Sequence, residues 1–225
     1  RDLLHAVVRQ CAAHGFGLHL HAIGDRAVTW ALEALAAVGP DGPPPAAPHQ
    51  IAHLQLVREE DVALWAASGV YANCQALWAC HEPQMDELNL QFLGELRAAR
   101  QYPFAQLRAA GVPLAMGSDW PVSSADPLAA VHVAVNRRAP GSAGPAFLPE
   151  QAIGLFDALQ AYTAGSSAAA GWAGTTGELR PGLAADLAVL SRDPFDGPPD
   201  RIADTVVDLT FAAGVPAWER AGGDR

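Results

Sequence analysis

Two hydrophobic rhythms alternate along the chain. Leu3, Leu4, Val7, Val8 and Cys11 recur at helical spacing, which predicts a helix over 2–14. The short apolar run from Gly17 to Gly24, bounded by glycines, reads instead as a buried strand. Asp25 is expected to cap a second helix, Arg26 to Val38, with Val28, Leu32 and Leu35 on one stripe, and the stretch from Gly39 to Pro45 stops it in a stiff loop. The strand-then-helix unit recurs. His49 to Leu54, Val70 to Gln75 and Val112 to Met116 read as strands, and Glu59 to Ala67, Pro103 to Ala110 and Pro127 to Asn136 as helices. Gln151 to Ala170 is Ala-rich and helical, with Leu155, Leu159 and Tyr162 on one side.

Beyond Gly171 the pattern changes. Gly177 to Gly182 reads as a turn between short extended pieces, and Asp186 to Leu190 and Val206 to Phe211 as strands. So few β pieces cannot bury both faces of a sheet of their own, so they are expected to add to strands lying elsewhere. Four strands alternating with helices argue for a parallel sheet with right-handed crossovers, hence the α/β class. An open doubly wound sheet would carry a Gly-rich phosphate turn after its first strand. Gly24-Asp25-Arg26-Ala27 lacks that spacing, which favours part of a barrel. The expected division is a barrel portion over 1–170 and a β segment over 171–225.

Composition narrows the function classes. Hydrophobic residues make up 50% of the 225 and charged residues only 17%, which excludes disorder. The net charge of −10 makes nucleic acid and anionic membrane poor partners. No apolar run approaches the ~18 residues a membrane span requires. Cys11, Cys74 and Cys80 are too few and too odd in number for a secreted disulfide framework, so a reducing cytoplasm is the expected compartment. The chain begins at Arg1 inside a helical pattern, and it reads as part of something longer.

Polar residues that buried strands should not want gather at strand ends: His19 and His21, then His53, Gln75 and Asp119. In a parallel barrel these ends converge on one mouth. Imidazoles from His21 and His53 and the carboxylate of Asp119 make a donor set suited to Zn²⁺ with positions left for water. His19 and His21, at i and i+2, face one side of a strand, and spacing alone does not choose between them. A single strand histidine is more often a core residue than a ligand, so the argument rests on convergence. Ser118 lacks the G-x-S-x-G elbow of a serine hydrolase. Cys74, Cys80 and His81 lack a C-x-x-C pair and read as structural. Trp78 and Trp120, in loops after strands, are candidate substrate-pocket walls. Asp25, Asp126 and Asp186 read as caps and turn residues.

The stretches His21-Ala22-Ile23-Gly24-Asp25-Arg26-Ala27, His53-Leu54-Gln55-Leu56-Val57 and Gly117-Ser118-Asp119-Trp120-Pro121-Val122 resemble the amidohydrolase superfamily. The likeness is to its amidohydrolase-3 branch, which includes YtcJ-like proteins and N-substituted formamide deformylases. Tyr162 to Gly165 and Gly177 to Leu190 look like that branch's last barrel helix and closing β segment. The resemblance implies the C-terminal half of a metal-dependent (β/α)₈ barrel, strands five to eight, with part of a small β-sandwich. It implies His21, His53 and Asp119 as ligands of one or two divalent ions, Zn²⁺ by preference, with Asp119 also catalytic. His19 falls outside the matched motif and takes a structural role by default. The implied partner is a small amide or formamide cleaved at its C–N bond, and a homo-oligomer is compatible with the reading. The family's first-strand His-x-His pair has no counterpart here, so a fragment of low activity is expected. The rival reading is a non-catalytic binding or scaffold protein that keeps the strands without a metal.

Overall fold

The computed structural model describes residues 1–38 and 43–221. The part of the expected loop at 39–42 lies outside the described residues. Helix α1 (Asp2–Ala13), strand β1 (His19–Ala22), α2 (Asp25–Ala36), β2 (Gln50–His53), α3 (Glu59–Ser68) and β3 (Tyr71–Cys74) follow in order. A 3-10 turn (Ala76–Trp78) and a π-helical segment (Gln84–Leu90) then run into the short helices α4 (Gln91–Leu93) and α5 (Glu95–Ala98). The chain continues through α6 (Phe104–Ala109), β4 (Leu114–Met116) and α7 (Pro127–Asn136). The strands β1 to β4 form one parallel sheet in the order β1-β2-β3-β4. The α/β class and the parallel sheet are as the pattern predicts.

Local chemistry explains the element ends. Gly69 closes α3 at φ 69°, a left-handed turn that glycine adopts without a Cβ penalty. Asp126 caps α7 by accepting from the Leu128 and Ala129 N–H groups, with Pro127 at the first helical position. At α2 the cap position is Gly24. Asp25 stands one residue inside and pairs with Arg97 of α5, which corrects its reading as the cap. One face of the sheet packs on the helices through Ile51, Ala72, Cys74 and Met116, against Val28, Leu32, Trp65 and Val131. The Trp65 indole N–H donates to the Val70 carbonyl at 2.9 Å, so the buried ring leaves no orphan donor. On α1 only Val8 and Ala12 are buried, while Leu3 and Val7 of the expected stripe face solvent.

The expected 151–170 helix is a composite. A 3-10 turn (Pro149–Gln151) precedes α8 (Leu155–Gln160), a π-helical turn (Ala161–Gly165) and α9 (Ser166–Ala169). This stretch lies along the outer edge of β4. There the Ser166 hydroxyl accepts from the Met116 N–H at 3.3 Å and donates to the Met116 carbonyl at 2.6 Å. A helix side chain thus satisfies edge groups that would otherwise await a strand.

The C-terminal β pieces pair with each other rather than with strands elsewhere. Strands β5 (Leu187–Leu190), β6 (Val207–Ala212) and β7 (Val215–Glu219) form an antiparallel sheet in that order. None of its strand residues is buried, and Val189, Val215 and Trp218 are exposed. The pairing differs from expectation because β7 follows β6 by a tight turn, giving a local partner. The burial expectation survives, since three such strands alone cannot cover their own apolar side chains.

Candidate metal and catalytic site

His21 and His53 sit at the C-terminal ends of neighbouring strands. The register pairs His21 with Ala52 and Ala22 with His53, so their backbones are one step out of line. Strict two-residue alternation would place His53 on the same face as buried Ile51, away from exposed His21. The backbone breaks that alternation: His53 has φ 80° and Leu54 φ 44°. The imidazole is thereby carried to the open face, where its ring centroid lies 4.3 Å from that of His21 with the planes at 68°. Positive φ at a non-glycine residue costs about 1–3 kcal/mol and persists where its surroundings enforce it.

Asp119 also takes a left-handed conformation, φ 58°, just after β4. Its negative charge reaches His53. Burial, together with the neighbouring His21 and His19, pushes the His53 imidazole below the usual histidine range, and Asp119 partly opposes that fall. A neutral imidazole keeps the lone pair that a cation requires.

The structure therefore brings His21 and His53 together and sets Asp119 within electrostatic reach. Among the described residues no three His, Cys, Asp or Glu side chains converge closely enough to hold one ion. The donor types fit a divalent cation, with two imidazoles in contact and a carboxylate nearby. His19, exposed on β1, lies on the same face as His21. Trp78 is partly buried in the 3-10 turn after β3, and Trp120 is exposed beside Asp119. Cys74 and Cys80 are buried, and burial pushes both thiols up, Cys80 to about 11, so neither presents a thiolate at neutral pH. A cleft of about 400 Å³ opens at the other end of the sheet, by Tyr71, Arg108, Leu114 and Asp157, and holds none of these residues.

The composition of single strands does not reveal how Gln50, Asn73 and Gln75 join. Their side-chain amides meet across β2 and the end of β3, where the register sets Asn73 beside Ala52 and one step diagonal to Gln50. The available signal was three polar residues in otherwise apolar strands.

Comparison with known proteins places the chain in a family. The amidohydrolase family model matches residues 1–217. The chain is 26% identical over 223 residues to the putative amidohydrolase YtcJ of Bacillus subtilis (strain 168), covering 98% of this chain and 41% of that protein. It is 31% identical over 121 residues to the N-substituted formamide deformylase of Arthrobacter pascens, covering 54% of this chain and 22% of that enzyme. The crystal structure of an uncharacterised metal-dependent hydrolase from Pyrococcus horikoshii OT3 superposes with a TM-score of 0.72 at 27% identity, covering 88% of this chain and 38% of that one. The chain thus spans well under two thirds of the length of these relatives.

Proposed function

Since the chain belongs to the amidohydrolase family, we propose that it is part of a metal-dependent hydrolase that cleaves C–N bonds of small amides or formamides. The observation that carries the reading is the contact of the His21 and His53 rings at the open ends of adjacent parallel strands. In this reading His21, His53 and Asp119 would hold a divalent cation, Zn²⁺ by preference, which would supply a Lewis acid and a water of lowered pKa. His21 and His53 present their ring nitrogens, and the left-handed turn at His53 keeps its ring on the site side. The Asp119 carboxylate takes the water's proton and returns it to the departing nitrogen, acting first as general base and then as general acid. Trp78 and Trp120 offer apolar surface to a substituent on the substrate. The open edge of β1 and the uncovered antiparallel sheet are where the other strands of a barrel and sandwich would pair, in keeping with a fragment of a longer enzyme.

The absence of a three-donor cluster among the described residues favours one alternative, a non-catalytic scaffold without metal. A longer hydrolase carrying these residues, assayed on N-alkyl formamides with Zn²⁺, separates the two. Asp119→Ala is expected to lower kcat by on the order of 10²-fold or more. Full turnover by Asp119→Ala would remove the proton-transfer role, and a chain with no Zn²⁺ affinity would favour the scaffold.

A further inference from the structure

Three side-chain amides run in single file across the open face of the parallel sheet. The His53 backbone N–H donates to Gln75 Oε1 at 2.7 Å, and Gln75 Nε2 donates to Asn73 Oδ1 at 2.9 Å. Asn73 Nδ2 donates to Gln50 Oε1 at 2.7 Å, and Gln50 Nε2 donates to the Ala169 carbonyl of α9 at 3.1 Å. One end of the file can only donate and the other can only accept, so the direction of every amide between them is fixed. Gln75 is 5% exposed, with both ends of its amide occupied. Such a network is rigid while complete and costly to interrupt.

The file begins where the sheet stops supporting His53. Pairing between β2 and β3 runs as far as Ala52 with Asn73, and beyond it the backbone turns to φ 80° at His53. Gln75 supplies an acceptor for that N–H, tying down the residue whose turn carries its ring to His21. The network also touches the exit of β4. A Cβ built at Gly117, two residues before Asp119, would stand 3.5 Å from Asn73 Oδ1 and 3.9 Å from Gln75 Nε2. The amide row thus holds the exit of β2 and lies beside the exit of β4, two of the three strands that carry candidate ligands.

We propose that Gln75 is a positioning residue, holding the His53 backbone so that its imidazole stays paired with that of His21 for a divalent cation. The inference rests on the reading of these two imidazoles as ligands given above. Its test uses the 225-residue chain. Without metal, a nuclear Overhauser contact between the His21 and His53 ring protons is expected in the natural sequence and in Gln75→Glu. The carboxylate still accepts from the His53 N–H; the Asn73 and Gln50 amides turn to follow it, which moves the one unpaired contact to the Ala169 carbonyl at the far end of the file, away from His53. The contact is expected to be lost in Gln75→Leu and in Gln75→Asn, whose shorter side chain withdraws the acceptor. Zn²⁺ titration by calorimetry should show affinity falling roughly 10–100-fold in Gln75→Leu and recovering to within a few-fold in Gln75→Glu. A merely structural glutamine would lower the unfolding midpoint and leave the ring contact and the affinity of the folded protein unchanged, and that result overturns the proposal. Should Gln75→Leu fail to fold, Gln75→Asn answers the same question. If the natural chain binds no Zn²⁺, or His21→Ala and His53→Ala bind as well as it does, the ligand reading fails. The metal-free ring contact then still decides whether Gln75 positions His53.

Discussion

His132 on α7 is 3% exposed, and its Nδ1 has no hydrogen-bond partner among the described residues. Burial, helped by Arg138, pushes its pKa below the usual histidine range, while Asp200 and Asp204 partly oppose the shift. The unfolded chain then takes up a proton near pH 6.5 that the folded chain refuses until lower pH. This stability is present above about 6.5 and is lost as pH falls toward the folded value. Urea midpoints measured from pH 7.5 to 5 should therefore fall on acidification, and His132→Phe should flatten that part of the curve. An unchanged slope would place the acid sensitivity elsewhere. Arg137 makes a second residue-scale case. It is fully buried, pushed down to about 10 by burial, and donates to the Phe147 and Tyr102 carbonyls at 2.9 and 3.2 Å. Its guanidinium also lies 5.3 and 5.8 Å from the Phe104 and Phe147 ring centroids. Arg137→Met orphans two carbonyls, at about 1–3 kcal/mol each, but relieves a buried charge. Arg137→Lys keeps the charge and loses the planar fork. The expected order of urea midpoints is natural protein, then Met, then Lys, and a Lys variant as stable as the natural chain would refute the fork argument. Nothing in the sequence distinguishes Arg137 from half-buried Arg138 beside it, because only the fold decides which of the two turns fully inward.

At the scale of elements, the fit of Gly165 against β4 is the most exposed to test. A Cβ there would stand 2.2 Å from the Leu114 carbonyl oxygen, a backbone atom with no freedom to yield. Gly165→Ala should force the α8–α9 stretch off the edge of β4 and cost at least about 1–3 kcal/mol by urea unfolding. An unchanged midpoint would mean that the helix does not lie on that edge. The strands of the parallel sheet and the main helices were legible because they bury apolar residues with a regular period, as Val28, Leu32 and Leu35 do on α2. The segment from Gln84 to Ala98 was not, because Leu88, Phe92 and Leu96 stand at helical spacing yet all face solvent. Strand β7 was missed for a related reason: every residue in it is exposed, so burial imposes no alternation to read. Within the site, His21 and His53 stood out as histidines in apolar strands. The turn that brings their rings together did not, since alternation sends His53 to the wrong face and only the positive φ corrects it. The amide file depends on strand register, which a single sequence does not encode in any local signal.

For the whole molecule, two surfaces compete with charge. The antiparallel sheet leaves Val189, Val215 and Trp218 exposed, and the arm over Gln84 to Ala98 leaves Leu88, Phe92 and Leu96 exposed. Strand β1 adds an outer edge that, among the described residues, faces no partner strand on the side away from β2. Exposed apolar faces and open strand edges favour self-association. The net charge of −10 opposes it, but only over the screening length, about 8–10 Å near physiological salt and about 3 Å at 1 M. Contact between apolar faces is insensitive to that screening, so raising salt should tip the balance toward association. Sedimentation equilibrium of the 23.5 kDa chain is expected to show an average mass rising with protein concentration, and rising further from 0.05 to 0.5 M NaCl. Val189→Lys with Trp218→Lys should lower the association if the antiparallel sheet is the adhesive face, whereas Leu88→Lys with Phe92→Lys should do so if the arm is. Supplying the remaining strands of a longer relative as a separate polypeptide should suppress the effect by covering the β1 edge and the sheet together. A chain that stays at 23.5 kDa across both concentration and salt would show that these faces tolerate water, and would count against the proposal that this is one part of a larger barrel.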